Sequence, residues 1–224
     1  MGLVYSKHLD EKTSFSLWEI NESAEELLSQ LQLKDHETAY LETLNEGKRN
    51  LHWLSTRVLL RKMLKDPAYI DCEIDEHGKP YLTNFPHHIS LSHSFDYAAV
   101  MISEDKEVGI DIELVKTKIE RIANKFLKDS ELDFIGNDAK VEQLYACWCA
   151  KEAVYKLQGK RNVSFKNHIH SHPFEFENEG MFNATLEING IKRFFDIHYE
   201  MFGEYMIGYC ASEEYGKLSS GDSV

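Results

Sequence analysis

The chain has 224 residues, 42% of them hydrophobic, and its 38 Asp and Glu against 25 Lys and Arg give a formal net charge of −13. That length can bury a good core in one large domain or two small ones. An acid surplus of this size disfavours a nucleic-acid-binding surface over the whole molecule, and the apolar runs are far too short to span a bilayer, so neither nucleic acid nor membrane is an expected partner. The opening residues carry no basic segment followed by an apolar stretch, so no secretory signal is expected. None of Cys72, Cys147, Cys149 and Cys210 forms a C-x-x-C pair, which favours reduced thiols in a cytoplasmic protein over a zinc knuckle.

Along the chain, Phe15–Ile20 reads as a strand. Asn21 or Ser23 then offers a helix N-cap with acids in the following turn. From Leu27 to about Lys65 the pattern is mostly helical, in two or three pieces, with a break at Gly47 and an end at Pro67. Glu76–Tyr81 is turn chemistry leading into a short strand. Ile89–Ser94 and Tyr97–Ser103 read as strands, and Ser103–Glu107 as a polar hairpin turn into the next one. Lys116 to about Leu132 reads as a helix, with five Lys or Arg and one acid between Lys116 and Lys128. Val141–Leu157 reads as another, stopping near Gly159. Beyond Val163 the pattern is of strands at Phe174–Glu177, Ala184–Ile188, Arg193–Tyr199 and Tyr205–Ala211, followed by a polar tail. Ile89–Ser103 and Ile197–Ser212 echo one another faintly, each a strand, an aromatic-containing turn and a small-residue strand. Two similar α+β halves meeting near residues 104–108 are therefore expected.

The chemistry concentrates in two stretches. In Val108–Glu113, three apolar residues alternate with Gly109, Asp111 and Glu113, a period of two that places both carboxylates on one face of a strand. In Trp148–Lys156 there is no Gly or Pro, and Trp148, Glu152 and Lys156 fall four apart on one helical stripe. Three carboxylates held close repel one another unless a cation joins them. Hard oxygen ligands of this kind suit magnesium, completed by water and substrate phosphates. Any one of these acids alone reads as an ordinary solvated side chain, and the combination carries the expectation. His168, His170 and His172 form H-x-H-x-H, which on a strand would share a face and could bind a metal. Pro173 follows at once, so a polar loop or solvated face is expected there.

Val108–Glu113 and Trp148–Lys156 together resemble the paired signature of the 4′-phosphopantetheinyl transferase superfamily, G-[IV]-D-[IV]-E followed further on by W-x-x-K-E-[AS]-x-x-K. Gly78-Lys79-Pro80, Ile89–Ser94 and the F-[FL]-x-x-x-E stretch Phe126–Glu131 resemble three further blocks, in the family's order, so that the resemblance covers about residues 48–160. The first main motif starts in mid-chain, as in the long, two-halved type that activates peptide synthetases.

The resemblance implies an α+β fold of two α/β-sandwich-like halves packed with pseudo-twofold symmetry and an active site at their interface. Residues 1–106 would contact the coenzyme A nucleotide, residues 107–215 would carry the metal ligands and a carrier-docking helix, and 216–224 would be a tail. Asp111, Glu113 and Glu152 match the magnesium ligands, and Glu152 also the general base. Lys156, Lys79, Ser92, His93 and Asp111 match positions that hold coenzyme A, with Lys156 also assisting the reaction. Arg49 and Arg57 lie in a segment resembling the one that meets the nucleotide end, where His52 is a rival. The implied reaction moves 4′-phosphopantetheine from coenzyme A to a serine of an apo-acyl or peptidyl carrier protein and releases adenosine 3′,5′-bisphosphate, in a cytoplasmic monomer. Docking would use Lys116, Lys118, Arg121, Lys125 and Lys128, with Ile119, Ile122 and Phe126 interleaved. The alternatives are a magnesium-dependent phosphodiester hydrolase and a non-catalytic carrier-binding homologue. The latter would normally lack one of Asp111, Glu113, Glu152 or Lys156.

Overall fold

A computed structural model describes residues 2–44 and 47–213; the polar tail expected over 216–224 lies outside the described residues. In chain order the elements are β1 (Leu3–His8), β2 (Thr13–Glu19), α1 (Ala24–Leu28), α2 (Asp35–Thr43), α3 (Lys48–Leu64), β3 (Cys72–Ile74), β4 (Pro80–Leu82), β5 (His88–Ser94), β6 (Tyr97–Ser103) and β7 (Lys106–Leu114). A 3-10 turn (Thr117–Arg121) follows, then α4 (Ala123–Phe126), α5 (Asp129–Leu132), α6 (Lys140–Gln158), α7 (Phe165–His168), β8 (Ile169–Ser171), β9 (Glu179–Ile188), β10 (Ile191–Phe202) and β11 (Tyr205–Glu213). Local chemistry sets several boundaries. Ser23 and Glu26 form a reciprocal capping box at the start of α1. Gly159, at φ 67, ends α6 in the left-handed conformation.

The fold is α+β, as expected. One antiparallel sheet has the order β1-β2-β6-β5, a second β7-β11-β10-β9-β8, and β3 pairs with β4 apart from both. The same connectivity occurs twice. After β2 comes α3, then the hairpin β5–β6, whose second strand returns beside β2. After β7 comes α6, then the hairpin β10–β11, whose second strand returns beside β7. Among the described residues no helix is long and apolar enough to cross a membrane.

Three apolar clusters hold the layers together. Leu54, Val58 and Leu59 of α3 pack on Trp18, Ala98 and Val100 of the first sheet. Ala146, Ala150, Ala153 and Leu157 of α6 join Phe182, Phe195, Ile197 and Met206 of the second. Between the sheets, Phe15, Leu17, Ala99 and Met101 meet Val108, Ile110, Ile112 and Ile207. The alternation of β7 thus sends its apolar residues towards the other sheet and leaves Gly109, Asp111 and Glu113 on the side of α6. Two glycines set how closely α6 approaches. A Cβ at Gly109 would collide with the Ala153 carbonyl oxygen, and one at Gly208 would press on Cys149 at 2.7 Å, far inside van der Waals contact.

Four expectations are corrected. Ser103–Glu107 is no hairpin, because β6 and β7 lie in different sheets and the segment carries the chain from one layer to the next. Its turn is held by Ser103 Oγ, which accepts from Lys106 N at 3.2 Å. The region from Lys116 to Leu132 is not one helix. It breaks at Leu127, whose backbone is extended (φ −107, ψ 145), and restarts where the Glu131 carboxylate accepts from Lys128 N. The expected docking face changes with it. Ile119 and Phe126 are buried in the core, so the apolar part of that face is withdrawn, while Lys116, Lys118, Arg121 and Lys125 face solvent. Phe174–Glu177 pairs with no strand. Its alternation comes from ring packing, with Phe174 stacked 4.0 Å from Phe182 and Phe176 stacked on Tyr199.

Candidate active site

Because α6 crosses β7 at Gly109, its residues Glu152 and Lys156, one turn apart, arrive beside Asp111. Asp111 is buried. Its Oδ1 accepts from Lys156 Nζ at 2.7 Å and from Ser92 Oγ at 2.7 Å. Its Oδ2 is buried without a hydrogen-bond partner. Lys156 Nζ also donates to the Ile110 carbonyl at 3.0 Å. Two residues along, Glu113 accepts from Ser94 Oγ at 2.8 Å. The acids therefore sit where the first sheet, the second sheet and α6 meet.

The electrostatics are those of crowded carboxylates. Burial raises the Glu152 pKa to about 7, the charge of Asp111 adds to the shift, Lys156 opposes it and Glu113 adds again. Glu113 is raised too, by burial and then by Asp111, with the Ser94 hydroxyl acting the other way. As the side chains stand, no three or more His, Cys, Asp or Glu among the described residues converge closely enough to hold a metal ion. The expected three-acid cluster is thus not drawn together. The Lys156 ammonium lies beside Asp111, and Ser92 and Ser94 donate to Asp111 and Glu113. The donor set nonetheless fits a hard divalent cation. A buried carboxylate oxygen lacks a partner, and two neighbouring carboxyls are pushed towards protonation by burial and then by the charge of Asp111.

Several expected ligands gather around this corner. Lys79, just ahead of β4, donates from Nζ to the Leu157 carbonyl at 2.6 Å, at the end of α6, and burial lowers its pKa. A cleft is lined by Lys79, Ser90, Leu91, Tyr155, Lys156 and Gly159. Ser92 is buried and committed to Asp111. His93 is exposed, and its ring stacks on His52 at 4.2 Å and 17°. Desolvation of its packed face, then the charges of His52 and Lys156, lower its pKa.

The two arginines differ. Arg49 is exposed near the start of α3. Arg57 lies five residues beyond His52, about 140° around the helix axis, and faces elsewhere. Its guanidinium stacks on Trp53 at 4.4 Å, reaches Cys72 Sγ at 3.9 Å and lines a small cavity with Leu31, Glu37 and Ile70. His52, on the same helix, stacks on His93. Trp148 is a packing residue, edge-on to Phe126 at 5.0 Å. The three histidines are bonded separately: His168 Nδ1 accepts from Ser164 N, His170 meets Lys128 Nζ at 3.4 Å, and His172 pairs with Thr185 Oγ1.

Sequence reasoning placed Ser94, Lys151 and Glu131 inside its motifs but gave none of them a role. Ser94 had a signal, since Ser90, Ser92 and Ser94 recur at period two and must share a face. Lys151 is fully buried at the centre of four acceptors: the carbonyls of Phe126, Phe165 and Ile169, and the Glu131 carboxylate. Lys151 and Glu131 stand at the fixed Lys of W-x-x-K-E and the fixed Glu of F-[FL]-x-x-x-E, a signal that marks each position without showing that the two pair.

Residues 107–210 match the sequence model of the 4′-phosphopantetheinyl transferase superfamily. Over 121 residues the chain is 33% identical to the 4′-phosphopantetheinyl transferase AcpT of Escherichia coli K12, covering 51% of this chain and 60% of that protein. Over 151 residues it is 30% identical to a 4′-phosphopantetheinyl transferase of Bacillus subtilis, covering 66% and 65% of the two chains. Over 107 residues it is 29% identical to the 4′-phosphopantetheinyl transferase Sfp of Bacillus subtilis 168, covering 46% and 47%. The matched region thus spans 60% of the first of these relatives, and less than two thirds of each.

Proposed function

We propose that the chain, which belongs through residues 107–210 to the 4′-phosphopantetheinyl transferase superfamily, transfers 4′-phosphopantetheine from coenzyme A to a serine of an apo-acyl or peptidyl carrier protein. The observation that carries this reading is the meeting of Asp111, Glu152 and Lys156 at one corner, beside the cleft that Lys79 lines. In the reaction the carrier serine oxygen bonds to the β-phosphorus of coenzyme A. The bond from that phosphorus to its bridging oxygen breaks, and adenosine 3′,5′-bisphosphate leaves. Lys156 and Lys79 are the cations available to the diphosphate. Arg49 and His93 are read as further contacts to the nucleotide, and Arg57 as support for the helix that carries His52. Glu152, whose pKa lies near neutrality, is matched to taking the serine proton as a general base.

Asp111, Glu113 and Glu152 are the residues that would hold Mg²⁺, which when bound neutralises charge on the phosphate oxygens. We read residues 1–106 and 107–215 as the two working halves, and the protein as a monomer of the cytoplasm. All four of Asp111, Glu113, Glu152 and Lys156 are present, which favours an active enzyme over a binding homologue. The test mixes purified protein, coenzyme A, magnesium and apo-carrier proteins, and follows carrier mass. A gain of one phosphopantetheine unit is expected. No gain across several acyl and peptidyl carriers overturns the reading.

A further inference from the structure

β7 is an edge strand of its sheet, paired with β11 on one side only. The N–H groups of Ile110, Ile112 and Leu114 are directed to its other, buried side, where a donor left unpaired is costly. β5 answers them with side chains in place of backbone carbonyls. Ser90, Ser92 and Ser94 Oγ accept these three N–H groups at 3.0, 3.3 and 3.2 Å. A serine hydroxyl that accepts in this way still has its one proton to give. Ser92 gives it to Asp111 and Ser94 gives it to Glu113, at 2.7 and 2.8 Å. Opposite Ser90 stands Gly109, which has no side chain to receive one. Two of the three serines therefore fix a strand edge and a carboxylate together, and the third fixes the edge alone.

We propose that Ser94 is a positioning residue of the acidic site, setting the Glu113 carboxylate for cation binding from the opposite sheet. The proposal rests on the metal assignment made under Proposed function. The end of β5 is itself held for this task. Phe95, next to Ser94, sits at φ 50, a left-handed conformation costly for a residue with a Cβ. The Phe95 carbonyl meets His52 Nε2 at 2.8 Å, which ties the turn to α3. Removing the Ser94 hydroxyl frees Glu113 to turn and leaves the Leu114 N–H unpaired. Removing that of Ser90 only leaves the Ile110 N–H unpaired, so Ser90→Ala controls for the seam.

The experiment compares Ser94→Ala, Ser94→Thr and Ser90→Ala with the parent. Manganese binding to the resting protein is measured by calorimetry without coenzyme A, alongside melting temperature, kcat, and KM for coenzyme A. Ser94→Ala is expected to weaken manganese binding and lower kcat, each by about tenfold or more, as for other residues that orient a ligand, with KM within about twofold. Ser90→Ala is expected to lower the melting temperature while leaving manganese binding near the parent's, and Ser94→Thr to restore both manganese binding and kcat. Equal losses of manganese binding in Ser94→Ala and Ser90→Ala would overturn the proposal and leave a purely structural seam. A parent that binds no manganese would sink it together with the metal assignment, while the carrier-mass assay would still judge the transferase reading independently.

Discussion

Lys151 Nζ lies 2.7 Å from Glu131 Oε1 with both side chains out of solvent, one residue before Glu152. The pair points into the core while Glu152 points to the acids, so a single turn of α6 serves both architecture and site. Glu131 also accepts from Ser171 N at 2.8 Å, so the pair joins α5, α6 and β8.

Breaking this pair from either side should be severe. Lys151→Met or Glu131→Gln leaves the other charge buried, an effect typically worth about 3–5 kcal/mol. Urea unfolding should show the loss as a lower midpoint at an unchanged slope. A midpoint within experimental error of the parent's in both variants would show that the buried pair contributes nothing to stability.

The acids of the site should differ from that pair and from each other. Glu152→Ala removes like charge from a crowded corner, so the fold should survive or gain slightly in the absence of metal, whereas Asp111→Ala takes the acceptor from Lys156 and Ser92 and should lower the urea midpoint. Carrier modification should fall by two orders of magnitude or more, within the range of about 10²–10⁴ ascribed to general acid–base groups. Near-parental turnover in either variant at saturating magnesium would remove that residue from the mechanism.

The raised pKa of Glu152 makes a pH prediction with a definite sign. Between its ordinary value of 4.5 and about 7, the folded protein binds more protons at this site than the unfolded chain. Its contribution to stability is therefore present at pH 4.5 and is lost as the pH rises through 7. In metal-free buffer the melting temperature of the parent should fall, between pH 5 and pH 7.5, relative to that of Glu152→Gln. Parallel pH profiles for the two proteins would show that burial does not raise this carboxyl.

Carrier docking should depend on the exposed cations after β7. Lys116 Nζ lies 3.8 Å from the centroid of the exposed Phe95 ring, and Lys118 and Arg121 face solvent. Lys116→Glu with Arg121→Glu should slow carrier modification at low salt and leave KM for coenzyme A unchanged. Raised ionic strength should narrow the gap to the parent. Equal rates for variant and parent at low salt would move the docking surface elsewhere.

The sequence by itself determined the local order of this protein. Alternation in Val108–Glu113 required a strand with two acids on one side, four-residue spacing in Trp148–Lys156 required a helix with Glu152 and Lys156 in line, and glycines marked where helices begin and end. These are short-range facts, governed by the geometry of neighbouring residues. Tertiary structure alone decided what each element meets. That Ser103–Glu107 crosses between sheets, that Lys116–Leu132 breaks at Leu127, that Arg57 turns away while His52 reaches His93, and that Ser94 holds Glu113 all follow from long-range contacts. The same is true of Lys151, whose four acceptors come from segments distant in the chain. A lysine and a serine look alike in sequence whether buried or exposed, and only the packing of α6 over Gly109 and of β5 against the edge of β7 separates the two cases.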